Sequence, residues 1–180
     1  GRKIYVPADS QVSNQTEADF AGRRDISVKI QKNFFSGGKK AMSMHTVAVM
    51  GLGVRGKIHL HGLLENPDYY KVVGLCDIDE PKMKAVAEEY HLDDVPLFTD
   101  AEEMLKETRP EIFVFVTYPD LRLSVIQLAV KYGVKGISFE KPMAESLQEA
   151  KEIVKLCHDN GIKAVVCHQQ KYLSQMQTLK

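Results

Sequence analysis

Gly51-Leu52-Gly53-Val54-Arg55-Gly56 spaces three glycines as G-x-G-x-x-G, directly after the apolar run Thr46 to Met50 and directly before a helix-like stretch. In a strand–turn–helix that grips a pyrophosphate each glycine has its own task. Gly51 permits the tight turn, Gly53 lets the backbone approach the phosphates, and Gly56 lets helix and strand pack closely. The N–H groups that open the helix, around Val54 and Arg55, have no partner in the helix and carry partial positive charge. About 20 residues further on, Asp77 ends a second apolar run. A carboxylate there accepts hydrogen bonds from the 2′- and 3′-hydroxyls of an adenosine ribose and repels a 2′-phosphate, which predicts NAD in preference to NADP. Arg55 argues the other way, because a basic residue near the adenosine end favours a 2′-phosphate. A structural glycine turn, and a turn carboxylate beside Asp79 and Glu80, are the plainer alternatives.

Glu140-Lys141-Pro142 follows a further apolar run, and Pro142 biases Lys141 towards an extended backbone. Ligands of an open parallel sheet bind at the carboxyl ends of the strands, so Lys141 projects where the nicotinamide end of a dinucleotide lies. A solvated surface lysine is the alternative. His168 ends the last strand at the same edge and is a candidate substrate contact. His59 and His61, at i, i+2, do not share a helix face, and no metal site is expected. Three cysteines without a CxxC spacing argue for a reducing compartment and against a disulfide framework.

The elements that position these residues alternate regularly. Strands are predicted at 46–50, 71–76, 95–98, 111–117, 136–139 and 162–167, and helices at 55–64, 81–90, 101–107, 121–132 and 146–160. The connections are too long for hairpins and right for parallel crossovers. The expected fold is α/β, a doubly wound parallel sheet in the order 3-2-1-4-5-6.

Length and composition bound the rest. The chain has 180 residues, 24 basic and 24 acidic, with 44% hydrophobic and 27% charged residues. The balanced charge argues against a protein that grips nucleic acid by charge alone. No run approaches the ~18 apolar residues of a membrane span. Residues 1–44 are read as an N-terminal arm or leader, with a short strand at 26–30 and a flexible joint at 36–40; 45–172 as the dinucleotide-binding domain; and 173–180 as the start of a connector. Arg23-Arg24 lacks the apolar stretch of a twin-arginine signal. The chain begins with Gly1 rather than Met, and is read as a processed or excised piece in which Met42 or Met44 is a candidate natural start.

The motifs together have a precedent. From Val47 to about Tyr172, roughly 70% of the chain, the sequence resembles the N-terminal domain of the Gfo/Idh/MocA oxidoreductases. The matching pieces are V-A-V-M-G-L-G-V-R-G, G-L-C-D ending in Asp77, T-Y-P-D at Thr117 to Asp120, F-E-K-P at Phe139 to Pro142, and V-C-H-Q-Q-K-Y at Val166 to Tyr172. The resemblance implies oxidation of a secondary hydroxyl of a sugar, glycoside or cyclitol by hydride transfer to NAD. It implies that Lys141 is catalytic, hydrogen-bonding the reacting hydroxyl or the nicotinamide ribose. Glu140 and Pro142 shape the surrounding loop, Thr117, Tyr118 and Pro119 line the cofactor, and Asp120 begins the next helix. It also implies a cytoplasmic enzyme, a homo-oligomer in its full-length form, and a second α/β domain outside this chain, without which the chain is expected to be inactive. Two positions depart from the family: Arg122 stands where a His is often found, and Lys171 where an Arg is common. The alternative reading is a dinucleotide-sensing module that acts through protein association, with the 1–44 arm docking on a neighbour.

Overall fold

The computed structural model describes residues 44–168. The readings made for the 1–44 arm before Met44, for Lys171 and for the 173–180 connector lie outside the described residues.

Six parallel strands form one sheet in the order β3-β2-β1-β4-β5-β6. They are β1 (His45–Met50), β2 (Tyr70–Cys76), β3 (Leu97–Phe98), β4 (Ile112–Phe115), β5 (Gly136–Glu140) and β6 (Lys163–Cys167). Five helices connect them: α1 (Val54–Leu64), α2 (Glu80–Glu89), α3 (Ala101–Thr108), α4 (Arg122–Lys131) and α5 (Leu147–Asp159). The expected architecture and strand order are those observed. The order reverses between β1 and β4, where the crossovers from one half of the sheet leave for the other and a crevice opens at the carboxyl ends.

The period of two in the central strands sorts side chains into two cores. Val47 and Val49 of β1 and Val114 of β4 join Leu60 and Leu63 of α1 and Met83, Val86 and Ala87 of α2 on one face. Ala48, Phe113 and Phe115 point to the other, against Met104 and Leu105 of α3, Val125, Ile126 and Ala129 of α4, and Ile153 and Cys157 of α5. The small Ala48 leaves room for the aromatic ladder beside it. Phe115 lies between Phe113 and Phe139, at ring-centroid distances of 5.3 and 5.1 Å.

Local chemistry ends the elements close to where expected, with three differences. β3 is Leu97–Phe98 rather than 95–98, because the Val95 N–H is used in a turn, donating to the Leu92 carbonyl at 3.0 Å. Asp79, Asp100 and Ser146 cap α2, α3 and α5 by accepting from the N–H groups of Lys82, Glu103 and Glu149. Gly161, at φ +64°, follows α5 in the left-handed conformation that closes helices. β4 stops at Phe115 rather than Thr117, because only Val116 still bonds to β1, donating to the Met50 carbonyl at 2.8 Å. Beyond it Pro119 starts a 3-10 turn, Pro119–Leu121, so Asp120 lies in that turn, and α4 begins at Arg122 without a side-chain cap.

Truncating Phe115 to Ala should lower stability by about 3–5 kcal/mol, the range for emptying a packed aromatic site. Urea unfolding checks it: a midpoint unchanged from wild type would mean that the aromatic ladder is not the core of that face.

Candidate functional site

The three glycines meet three different constraints. Gly51 sits at φ +84°, and a Cβ there would lie 2.2 Å from the Val116 carbonyl oxygen, so the turn is closed to any side chain by the residue that follows β4 as well as by its own dihedral. Gly56 has ordinary helical surroundings, but a Cβ on it would lie 1.7 Å from the Gly51 carbonyl oxygen. Gly53 is different. Its φ of −68° and ψ of −172° suit any residue, and a Cβ would meet nothing within 4 Å. Among the described residues nothing requires glycine at 53, and the space over it is open. Directly behind it α1 has no side-chain cap and no acidic residue in its first turn, unlike the capped α2, α3 and α5. Its first-turn N–H groups therefore remain available to an anion.

Asp77 closes the other side of this turn. It is buried, and its carboxylate accepts from the Leu52 N–H at 2.6 Å, the Asp79 N–H at 3.0 Å and the Lys82 ammonium at 2.9 Å. Burial alone would raise its pKa. The hydrogen bonds from Asp79, Lys82 and Leu52 outweigh that and hold it below the usual carboxylate range. A carboxylate whose ionised form is favoured thus stands at the end of β2, bonded directly to the glycine turn. Ile78 beside it is 90% exposed, Val54 81% and Tyr118 79%, so apolar side chains face solvent at the carboxyl ends of β2, β1 and β4. Such surface is what the flat faces of a bound ligand cover.

The ends of β4 and β5 are stitched together by a buried arginine. Arg122 donates through Nη1 to the Glu140 carbonyl and through Nη2 to the Thr117 carbonyl at 3.3 Å, while its guanidinium lies 5.5 Å from the centre of the Phe139 ring. Burial pulls its pKa down, and the charges of Glu140 and Glu149 oppose that. The Thr117 hydroxyl, beside it, is buried with no partner among the described residues, an atom in want of a hydrogen bond at the mouth of the crevice. Glu140 is buried too, with Oε1 3.0 Å from Nε2 of His59 on α1. Lys141 follows it and is exposed. Cys167 is in register with Glu140, which puts the exposed His168 one residue beyond that level on the neighbouring strand.

The structure therefore gathers Gly51, Gly53, Val54, Arg55, Gly56, Asp77, Thr117, Tyr118, Pro119, Glu140, Lys141 and His168 at one edge of the sheet. Three residues take roles that the motifs do not announce. Arg122 forms with Val125, Ile126 and Ala129 the buried i, i+3, i+4, i+7 stripe of α4, a spacing visible in the sequence. His59 pairs with Glu140 and not with His61, which faces Glu65 at 3.2 Å. Lys82 left no signal beyond its place one turn into α2. Among the described residues no three His, Cys, Asp or Glu side chains gather as a metal site.

A six-stranded parallel sheet with an uncapped helix behind a glycine turn and an ionised acid closing β2 defines a dinucleotide-binding Rossmann domain. A profile of the Gfo/Idh/MocA family, described as an oxidoreductase family with an NAD-binding Rossmann fold, matches residues 45–168, and the chain belongs to that family. Similar curated proteins include the uncharacterized protein YMR315W of Saccharomyces cerevisiae, 26% identical over 133 residues, 73% of this chain and 38% of that protein. The 4-hydroxy-tetrahydrodipicolinate reductase of Listeria welshimeri is 32% identical over 117 residues, 61% of this chain and 44% of the enzyme. The chain thus spans less than half the length of the curated relatives it matches. Among solved structures, the WlbA dehydrogenase of Bordetella pertussis, in complex with NADH and UDP-GlcNAcA, shares the fold with a TM-score of 0.69 at 22% identity, covering 77% of this chain and 41% of that one. The scyllo-inositol dehydrogenase of Lactobacillus casei does so with a TM-score of 0.68 at 15% identity, covering 78% and 41%.

Replacing Arg122 by Met should lower stability by about 2 kcal/mol. It leaves the Thr117 and Glu140 carbonyls without their donor, and relief from burying the guanidinium offsets part of that loss. Chemical denaturation measures the difference, and an unchanged free energy would mean that the two loops hold their places without it.

Proposed function

We propose that residues 45–172 are the NAD-binding domain of a dehydrogenase that oxidises a secondary hydroxyl of a sugar, glycoside or cyclitol. The observation that carries the cofactor half of this reading is the open space over Gly53 in front of the uncapped α1. The residues present fit a dinucleotide. Gly51, Gly53, Val54, Arg55 and Gly56 would hold the pyrophosphate through backbone N–H groups. Asp77 would accept from the adenosine ribose, and its negative charge favours NAD over NADP. The unpartnered Thr117 hydroxyl, with Tyr118, Pro119, Glu140 and Lys141, would surround the nicotinamide end.

When bound, the nicotinamide supplies the hydride acceptor. The chain's own contribution to chemistry is Lys141. As a hydroxyl carbon gives up hydride its oxygen gains negative charge, and an ammonium that donates to that oxygen stabilises it or takes up its proton. Glu140 cannot do this while ionised; held by His59 and next to Arg122's bond to its carbonyl, it fixes the residue from which Lys141 springs. His168 is a substrate contact in this reading. The substrate class draws support from structural neighbours whose ligands are UDP-GlcNAcA and, in a further L. casei structure, scyllo-inositol with NAD(H). The three free thiols support a cytoplasmic location. The 1–44 arm, the 173–180 connector, a second domain and a homo-oligomeric full-length form complete the proposal, under which the 180-residue chain turns over little or no sugar or inositol by itself.

Binding is directly measurable through the fluorescence of the reduced nicotinamide. NADH should bind more tightly than NADPH; equal or tighter NADPH binding would contradict the role given to Asp77. Gly53→Val should abolish NADH binding while the unfolding midpoint stays near wild type, and undiminished binding by that variant would remove the main support for the reading. Lys141→Met should retain NADH binding but, in a catalytically competent full-length protein, cost ~10²–10³ in rate, as for loss of one donor to a developing oxyanion. Full activity would reduce Lys141 to a surface lysine.

A further inference from the structure

Asp77 does not stand alone. The Lys82 ammonium lies 2.9 Å from its Oδ1, the same oxygen that accepts the Asp79 N–H, while Oδ2 takes the short 2.6 Å bond from Leu52. Oδ1 therefore already has two donors, one of them the Lys82 ammonium. The Lys82 side chain is 40% exposed, against 6% for Asp77, so of this pair it is the lysine that reaches solvent. The other cation in this part of α2, Lys84, is held 2.6 Å from Glu80 and stays on its own helix. Arg55, on α1, is exposed.

We propose that Lys82 is a specificity-determining residue of the cofactor site, which tempers the discrimination by Asp77 against a 2′-phosphate and gives the protein measurable affinity for NADPH. The inference rests on the dinucleotide reading above. A ribose oxygen that donates to Oδ1 comes within about 6 Å of the ammonium, two hydrogen-bond lengths. Towards a 2′-hydroxyl, Lys82 is a competitor for the acid's lone pairs. Towards a 2′-phosphate, which brings about two negative charges, it is a counter-ion that can leave Asp77 and pair with the phosphate. The two residues thus pull the cofactor preference in opposite directions. Losing the lysine weakens NADPH more than NADH.

The test is a set of titrations of the whole chain with NADH and NADPH, followed by fluorescence, on wild type, Lys82→Met, Lys82→Arg and Arg55→Met. Because the Asp79 cap uses the Lys82 backbone N–H, these substitutions leave the start of α2 intact, and an unfolding midpoint for each variant checks that. In Lys82→Met the ratio of NADPH to NADH dissociation constants should rise about tenfold, the typical effect of one charge-assisted hydrogen bond. Lys82→Arg should restore most of the wild-type ratio, and raised salt should weaken NADPH binding more in wild type than in Lys82→Met. A ratio unmoved by Lys82→Met, or a shift carried by Arg55→Met instead, overturns the assignment to Lys82 while leaving the dinucleotide reading intact. Failure of wild type to bind either cofactor overturns that reading, and this inference with it.

Discussion

Among the described glycines the one with least room for a side chain is Gly56 on α1, which packs against the carbonyl of Gly51 at the end of β1. A single Cβ would fall 1.7 Å from that oxygen, far inside any van der Waals contact. This contact sets how near α1 lies to the sheet, and the rest of the site follows from it. The turn between them must be short, so its N–H groups end up at the helix N-terminus with no side chain to cap them. The Leu52 N–H, inside the turn, finds its acceptor across the crevice in Asp77 at 2.6 Å. The same helix one turn later carries His59 to Glu140 at 3.0 Å. One steric constraint thereby connects the pyrophosphate end, the adenosine end and the nicotinamide end of the proposed ligand.

Charge is the second organising theme. Among the described residues the buried charged side chains are Asp77, Arg122 and Glu140, and all three lie at the carboxyl edge of the sheet. Elsewhere the interior is apolar. An isolated ion in such surroundings costs several kcal/mol, so each must be offset locally. Asp77 is offset by two backbone N–H groups and Lys82, Arg122 by two carbonyls and an aromatic face, Glu140 by His59 and the nearby guanidinium. These are not ornaments of the core; they hold loops in place after β2, β4 and β5, where propensity alone would leave them loose. At the opposite edge, among the described residues, Glu111 is tied to β1 by His45 at 3.2 Å and by two hydrogen bonds with Thr46, all exposed enough to contribute little.

The parallel sheet and its order were readable because the physics is repetitive: apolar runs separated by helix-length, polar-faced segments leave few other topologies. The glycine turn was readable for the same reason, since G-x-G-x-x-G in that context has few other uses. What escaped were residues whose partners are distant in sequence. Arg122 meets Glu140 18 positions away and His59 meets Glu140 81 away, and no local pattern announces such a pair. Arg122 was the nearer miss, because an arginine in the apolar stripe of α4 must be buried and must therefore have partners. The early end of β4 was also hidden: Thr117 continues the apolar run by composition, yet the chain has to leave the sheet there to admit the turn at Pro119.

The central claim is that a dinucleotide lies with its pyrophosphate against the N-terminus of α1 and its adenosine ribose on Asp77. Amide hydrogen exchange with and without NADH reads this segment by segment. The account predicts slowed exchange in Leu52 to Lys57 and in Asp77 to Asp79 when NADH is added, with little change in α3 and α5, whose N-termini are already capped by Asp100 and Ser146. Exchange in Leu52 to Lys57 that is unaltered at saturating NADH would contradict it.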